Sequence, residues 1–354
     1  MLEFIKEKIT CWEKLQLETK PIYMYGMGDG AEKIMAVFRE YGIKVKGFFA
    51  SDEFVRGHSF LGYKVKKLSE VEETKEDFVI VLAFAAGYPE LIEKVRELSR
   101  RHTLYVPDVP VFGSGLFTYD YCLQHASEIQ QAYELMADEQ SKKVYASVIN
   151  FKISGNIDYL DDITTEKSEV YNEIIKPNLN EHYVDLGAYT GDTIQEMLDY
   201  TKNKFAKIYA LEPDRKNFKK LEKYVDEREN ISIYNNAVWC IDTQLPFSSK
   251  SGRQSSLANQ GVKMIESRSV DSILGGKEAT IIKMDVEGAE REALWGSCLT
   301  ITKHNPRLMV ALYHRNEDIF ELPLLVNKIN PKYKLYVRHQ LYIPAWETNL
   351  YAKI

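Results

Sequence analysis

Two stretches of this chain share one pattern: a short apolar run, a turn carrying glycine or acid, then apolar residues three and four positions apart. Short unbroken apolar runs suit strands buried on both faces, and the wider spacing suits one stripe of a helix. Near the start, Pro21-Ile22-Tyr23-Met24-Tyr25 leads into Gly26-Met27-Gly28-Asp29-Gly30-Ala31, with Ile34, Val37 and Phe38 at helical spacing behind it. A second strand over 45–50 ends at Ser51-Asp52-Glu53. Further on, Tyr183, Val184 and Leu186 form a strand running into Gly187-Ala188-Tyr189-Thr190-Gly191-Asp192, and Ile194, Met197 and Leu198 mark a helix over 193–200. Strands over 207–211 and 231–234 follow.

The second of these units points to an adenosine-containing ligand. Gly187 and Gly191 let the backbone approach a ligand at a helix N-terminus, and Glu212 ends the next strand where an acid can accept from ribose hydroxyls. No Lys-Ser or Lys-Thr pair follows the turn, so the triphosphate anchor is missing. Asp185 and Asp192 make the turn acidic, which suits a cationic amino-acid group better than a pyrophosphate. S-adenosylmethionine is therefore favoured over a dinucleotide. Asp185 and the Gly187 and Gly191 backbone are expected at its methionine end, Glu212 at the ribose, and Asn236 or Ala237 near the adenine, with Asp192 and Thr193 also among the cofactor-binding residues. The plainer reading of Asp192 is a helix cap.

A third strand-to-turn unit, Ala279-Thr280-Ile281-Ile282-Lys283-Met284-Asp285-Val286-Glu287-Gly288-Ala289-Glu290, sets carboxylates at a strand end. The segments VDLGAYTGDT, ALEPD, NNAVW, SSL, VDSIL, IIKMDVEGAE, ALYHRNEDIFELP and ETNLYA, in this order, resemble methyltransferases of the FkbM type over about the last half of the chain. Tyr189 departs from the pattern, which usually has asparagine there. The resemblance implies S-adenosylmethionine-dependent methyl transfer, usually to a hydroxyl of a sugar or another secondary metabolite. Such transfer needs an oxygen placed close to the methyl group and a route for its proton. Asp285 and His314 are the catalytic candidates, with Asp285 also near the cofactor; Ser255, Ser256, Glu287, Arg338, His339 and again His314 are candidates for the acceptor side. Asp285, Glu287 and His314 would make an oxygen-rich magnesium site, but their spacing is not diagnostic and no metal is expected.

The front unit, with Gly62-Tyr63-Lys64-Val65 and a strand over 78–83, resembles the small nucleotide-sugar-binding domain of some sugar acyltransferases. Gly26, Gly28, Gly30 and Asp52 are its candidate ligand residues. The expected organisation is a Rossmann-like α/β domain over 1–108, a helical connector over 109–150 packing between domains or against a second subunit, and a methyltransferase domain over 151–354. The fold expected for the latter is α/β, a class I methyltransferase doubly wound sheet closed by an antiparallel hairpin, its last strands at 333–337 and 349–354. Two competing functions stay open: an NAD-dependent sugar-nucleotide oxidoreductase, motivated by Gly26, Gly28 and Asp52, and a non-catalytic nucleotide- or carbohydrate-binding protein.

Global features mainly exclude. The 354 residues carry a net charge of −6 with no lysine- or arginine-rich run, which argues against nucleic acid as a partner. Cys11, Cys122, Cys240 and Cys298 have neither metal-ligand spacing nor disulfide density, as in a reducing cytoplasm. The opening MLEFIKEKITCWEKL is amphipathic rather than a signal sequence, and no apolar run spans a bilayer. A cytoplasmic protein acting on a small-molecule sugar, sugar nucleotide or glycan is the expectation.

Overall fold

A computed structural model describes residues 2–226, 228–248, 256–257 and 263–354. Two sheets organise the chain. The N-terminal one has five parallel strands in the order Lys66–Lys67, Gly47–Ala50, Ile22–Tyr25, Val79–Leu82, Thr103–Tyr105. Its three central strands are buried at every position, as their uninterrupted apolar runs require. The helix Asp29–Tyr41 follows the first strand and stops at Gly42, whose φ of 68° favours glycine.

The C-terminal sheet has seven strands in the order Ile231–Tyr234, Lys207–Leu211, His182–Leu186, Ile281–Met284, Arg307–Ala311, Thr348–Lys353, Lys334–His339. The first five run parallel, and the last two form the expected antiparallel hairpin. This is the doubly wound α/β sheet of a class I methyltransferase. The chain steps outward in one direction from His182–Leu186 to the next two strands, then returns to place Ile281–Met284 on its other side. Helices before and after that reversal lie on opposite faces, so a crevice opens between the carboxyl ends of these two strands.

The hairpin differs from expectation in one consequential way. Its first strand is Lys334–His339, so Arg338 and His339 lie within it rather than in the loop beyond. The connector forms helices Tyr119–Gln124, Ala126–Glu134 and Glu139–Ser154, the last running past residue 150 to a left-handed Gly155. It covers the hairpin edge: Ala137 N–H donates to Leu335 O at 2.8 Å, and Val337 N–H to Ser141 Oγ at 3.1 Å. One apolar cluster joins Ile80 of the first sheet, Val144 and Phe151 of the connector, and Val184 and Ile282 of the second sheet. Loops of the two sheets also meet, Ala86 and Ile343 exchanging backbone hydrogen bonds of 2.7 and 2.8 Å. Among the described residues no helix is long and apolar enough to cross a membrane.

Candidate active site

The crevice at the switch between His182–Leu186 and Ile281–Met284 holds a cavity of about 300 Å³, a size in the range of small-ligand sites. Its floor is set by glycine. Gly187 has φ 84°, and a Cβ there would drive into the Asp285 carbonyl, so only glycine lets the two strand ends lie side by side. Gly191, at φ 98°, caps the helix Asp192–Tyr200 with a Cβ direction blocked by the Tyr224 ring. Asp192 is thus the first helical residue, not the cap, and it lines the cavity with Gly187 and Thr193.

Asp185 is fully buried beneath this floor. It accepts a hydrogen bond from Thr193 Oγ1, and Lys283 Nζ stands 3.7 Å from its other oxygen. Burial still pushes the carboxyl above its ordinary range, with Lys283 and Thr193 opposing. Lys283 also reaches Asp285 at 3.8 Å and donates to Gly187 O at 3.5 Å. Burial works against its charge, but Asp185, Asp285 and Asp192 outweigh it and hold the ammonium protonated. Glu212 faces the cavity from the end of Lys207–Leu211. It accepts from Tyr189 N–H at 3.0 Å and Asp214 N–H at 2.8 Å, while burial lifts it to about 7. Tyr189 sits in the left-handed region at φ 48°, a conformation asparagine adopts more readily than tyrosine.

Behind the Asp285 wall lies a second charged group. His314 is 1% exposed and does not line the cavity. Its Nδ1 is 2.9 Å from Glu290 Oε1, and its Nε2 is 3.5 Å from both Asp285 Oδ1 and Glu287 Oε2. Burial disfavours the imidazolium, yet Glu290, Asp285 and Glu287 outweigh it and lift its pKa to about 10. Glu287 moves to about 8, chiefly by burial. Tyr313 donates from its hydroxyl to Asp285 Oδ1 at 3.1 Å. A segment leaving the N-terminal sheet seals this group from outside: Phe112 packs on Gly288, and its N–H donates to His314 O at 2.9 Å.

A glycine floor, a terminal acid on the adjacent strand and the Asp285–Glu290 turn thus converge on one crevice. Residues 185–336 match the family model described as Methyltransferase FkbM domain. The chain carries an FkbM-type methyltransferase domain. The crystal structure of methyltransferase FkbM from Methylobacillus flagellatus KT is similar in fold, with a TM-score of 0.73 at 20% identity over 99% of this chain and 92% of that one. Fibrillarin of Aeropyrum pernix with natively bound S-adenosyl-L-methionine aligns at a TM-score of 0.35 and 12% identity over 53% of this chain and 73% of that one. Precorrin-6y C5,15-methyltransferase of Geobacter metallireducens GS-15 gives 0.33 and 10% over 54% and 89%; both are too distant to decide anything here. No curated protein matches the chain.

Other expected site residues fall in different places. Ala237 lines the cavity, whereas Asn236 turns away and donates to Glu266 O at 3.3 Å. Arg338 and His339 are buried away from it. The Arg338 guanidinium is tied to Asp138 at 2.7 Å and Ser141 at 2.8 Å. His339 meets Thr348 Oγ1 at 3.1 Å and Tyr342 O at 3.2 Å, with burial lowering its pKa to about 4. Ser255 lies outside the described residues, and Ser256 belongs to a short strand paired with Phe247 and Ser248 of Thr243–Ser248.

Packing accounts for two of the three glycines of the N-terminal turn. A Cβ on Gly26 would meet the Phe84 ring at 2.5 Å, and one on Gly30 the Ala83 carbonyl at 2.6 Å; Gly28 has φ 107° with open space around it. Asp52 accepts from Ser69 Oγ at 2.7 Å and Ser69 N–H at 3.3 Å. Sequence reasoning gave no site role to Lys283, Tyr313 or Glu290. Lys283 carried a signal: a lysine inside the apolar strand Ile281–Met284 requires a buried counter-charge.

Proposed function

We propose that the FkbM domain transfers a methyl group from S-adenosylmethionine to a hydroxyl of a sugar, sugar nucleotide or glycan. The observation that carries this reading is Glu212 facing the cavity beside the Gly187 floor at the sheet's switch point. A carboxylate offers about four lone-pair sites, so Glu212 can hold two backbone amides and still accept from ribose hydroxyls. Asp192 and Asp285 line the same cavity and favour the cofactor's ammonium and sulfonium charges. Ala237 and Val238 supply an apolar wall for a base.

When bound, the cofactor supplies an electrophilic methyl carbon on a sulfonium sulfur. The acceptor oxygen bonds to that carbon as the sulfur–carbon bond breaks, and the hydroxyl proton must leave. Asp285 faces the cavity and is the proton acceptor in this reading. His314 is sealed behind it and stays protonated at neutral pH, so it positions Asp285 electrostatically instead of taking the proton itself. Lys167, Gln340 and Asn349 on the cavity wall offer the charged and amide groups that sugar hydroxyls use.

Calorimetric titration with S-adenosylmethionine and S-adenosylhomocysteine tests the first half: one site per chain is expected, and silence at millimolar ligand refutes it. Transfer of labelled methyl to a panel of sugar nucleotides and glycans tests the second. Labelling only of amine or carbon acceptors would overturn the hydroxyl assignment.

A further inference from the structure

We infer that Asp285, Glu290 and His314 bind a divalent cation at the inner wall of the cavity. Each offers one ligand atom, and the three atoms lie within 4.8 Å of one another. The local chain explains the convergence. Glu287 at φ 55° and Gly288 at φ 88° reverse the backbone between the strand Ile281–Met284 and the helix Glu290–Trp295, bringing Asp285 and Glu290 to one side. His314 arrives from beyond the neighbouring strand Arg307–Ala311.

Acid alone would prove little, but two buried polar atoms here point to a missing partner. Glu290 Oε2 and His314 Nδ1 are shielded from solvent and make no hydrogen bond. Nδ1 lies 2.9 Å from Glu290 Oε1 as an ion pair, and that oxygen already accepts from Val286 N–H at 2.8 Å. Leaving buried polar atoms unmatched is costly, and more so for a carboxylate oxygen. Glu287 and the buried Asp318 set two further carboxyl groups around the same imidazole, where burial disfavours their charged forms. A cation that displaces the His314 proton answers both the orphaned atoms and the crowding of carboxyl groups.

The ligand set narrows the ion. Two carboxylates and one imidazole suit Mn²⁺ or Zn²⁺ better than Ca²⁺ or Mg²⁺, which favour all-oxygen shells. Adjacent ligands on a six-coordinate ion with bonds of about 2.1 Å sit about 3.0 Å apart, close to the 2.9 Å between Nδ1 and Oε1. Asp285 lines the cavity, so a remaining coordination position can face it. There the ion would hold the acceptor oxygen. That role rests on the methyl-transfer reading; the binding does not.

The test is titration of the chelator-stripped full chain with Mn²⁺, followed by calorimetry and electron paramagnetic resonance. S-adenosylhomocysteine affinity is measured separately on the same samples. One Mn²⁺ per chain is expected, weakened roughly tenfold or more by Glu290→Gln and by Asp285→Asn. Because Glu290 is enclosed, Asp285→Asn at the cavity wall keeps the test decisive once circular dichroism shows it folded. No Mn²⁺ binding to the native chain at millimolar concentration, or native-strength binding by Asp285→Asn, would overturn the site. Mn²⁺ binding without S-adenosylhomocysteine binding would support the site and remove only the cofactor reading.

Discussion

The backbone N–H of Phe112 donates to the carbonyl of His314 at 2.9 Å, so a segment leaving the N-terminal sheet ends against the back wall of the C-terminal cavity. The same segment accepts from Lys33 Nζ at Pro110 O and Val111 O, at 3.3 and 3.0 Å. Lys33 lies on the helix that follows the first glycine turn. The front of the chain thereby braces the turn that carries Glu287 and Gly288.

Phe112→Ala should show this bracing. The ring packs on Gly288, and its centroid lies 5.9 Å from that of His314. Its loss is expected to lower unfolding free energy by roughly 1–3 kcal/mol and to weaken S-adenosylhomocysteine binding. Chemical denaturation and calorimetry check both; a variant unchanged in each would mean that the segment merely rests on the wall.

Glu212→Ala addresses the ribose contact. Removing a charge-assisted hydrogen-bond partner should cost the cofactor about 1.5–3 kcal/mol of affinity, read by calorimetric titration. Equal affinity in a folded variant rules out Glu212 as the ribose ligand.

Arg338→Ala separates support from recognition. The guanidinium holds Asp138 and Ser141 across the connector and the last sheet strand, and only 7% of its side chain is exposed. A stability loss of about 1.5–3 kcal/mol is expected, with cofactor and acceptor affinities unchanged. A rise in acceptor KM at native stability would return Arg338 to the acceptor site.

Stability without ligand should fall as pH rises. Burial lifts Glu212 from 4.5 to about 7 and Glu287 to about 8, and the surrounding carboxylates carry His314, against its burial, from 6.5 to about 10. Each folded value exceeds the unfolded one, so each contribution is complete below the unfolded pKa and lost as pH climbs through the folded one. His339, lowered by burial from 6.5 to about 4, acts oppositely and only on the acid side, losing stability as pH falls through that window. The melting temperature should therefore decline between pH 6.5 and 10, and Glu287→Gln should flatten the part below about 8. Thermal scans followed by circular dichroism decide it; a profile rising over that window would contradict the assignment.

Local pattern alone located most elements. Tyr183, Val184 and Leu186 marked a central strand because an apolar run with no polar alternation has to be covered on both faces. Glu212 and Asp285 were found because both end such runs, and a strand's carboxyl end in a doubly wound sheet opens onto the ligand crevice. Those are nearest-neighbour properties, readable along the chain.

Long-range packing decided the rest. Arg338 and His339 looked like rim residues, but a connector helix beginning next to Asp138, 200 residues from Arg338, lies over their strand and buries them. Gly26 and Gly191 suggested ligand approach, whereas the Phe84 and Tyr224 rings fill the space a Cβ would take. His314 could be placed near Asp285 from the strand order, but not on which side of it. Sequence determines which residues a strand end offers; exposure and pairing depend on what else in the chain is folded against it, and that information is spread over residues far apart along the chain.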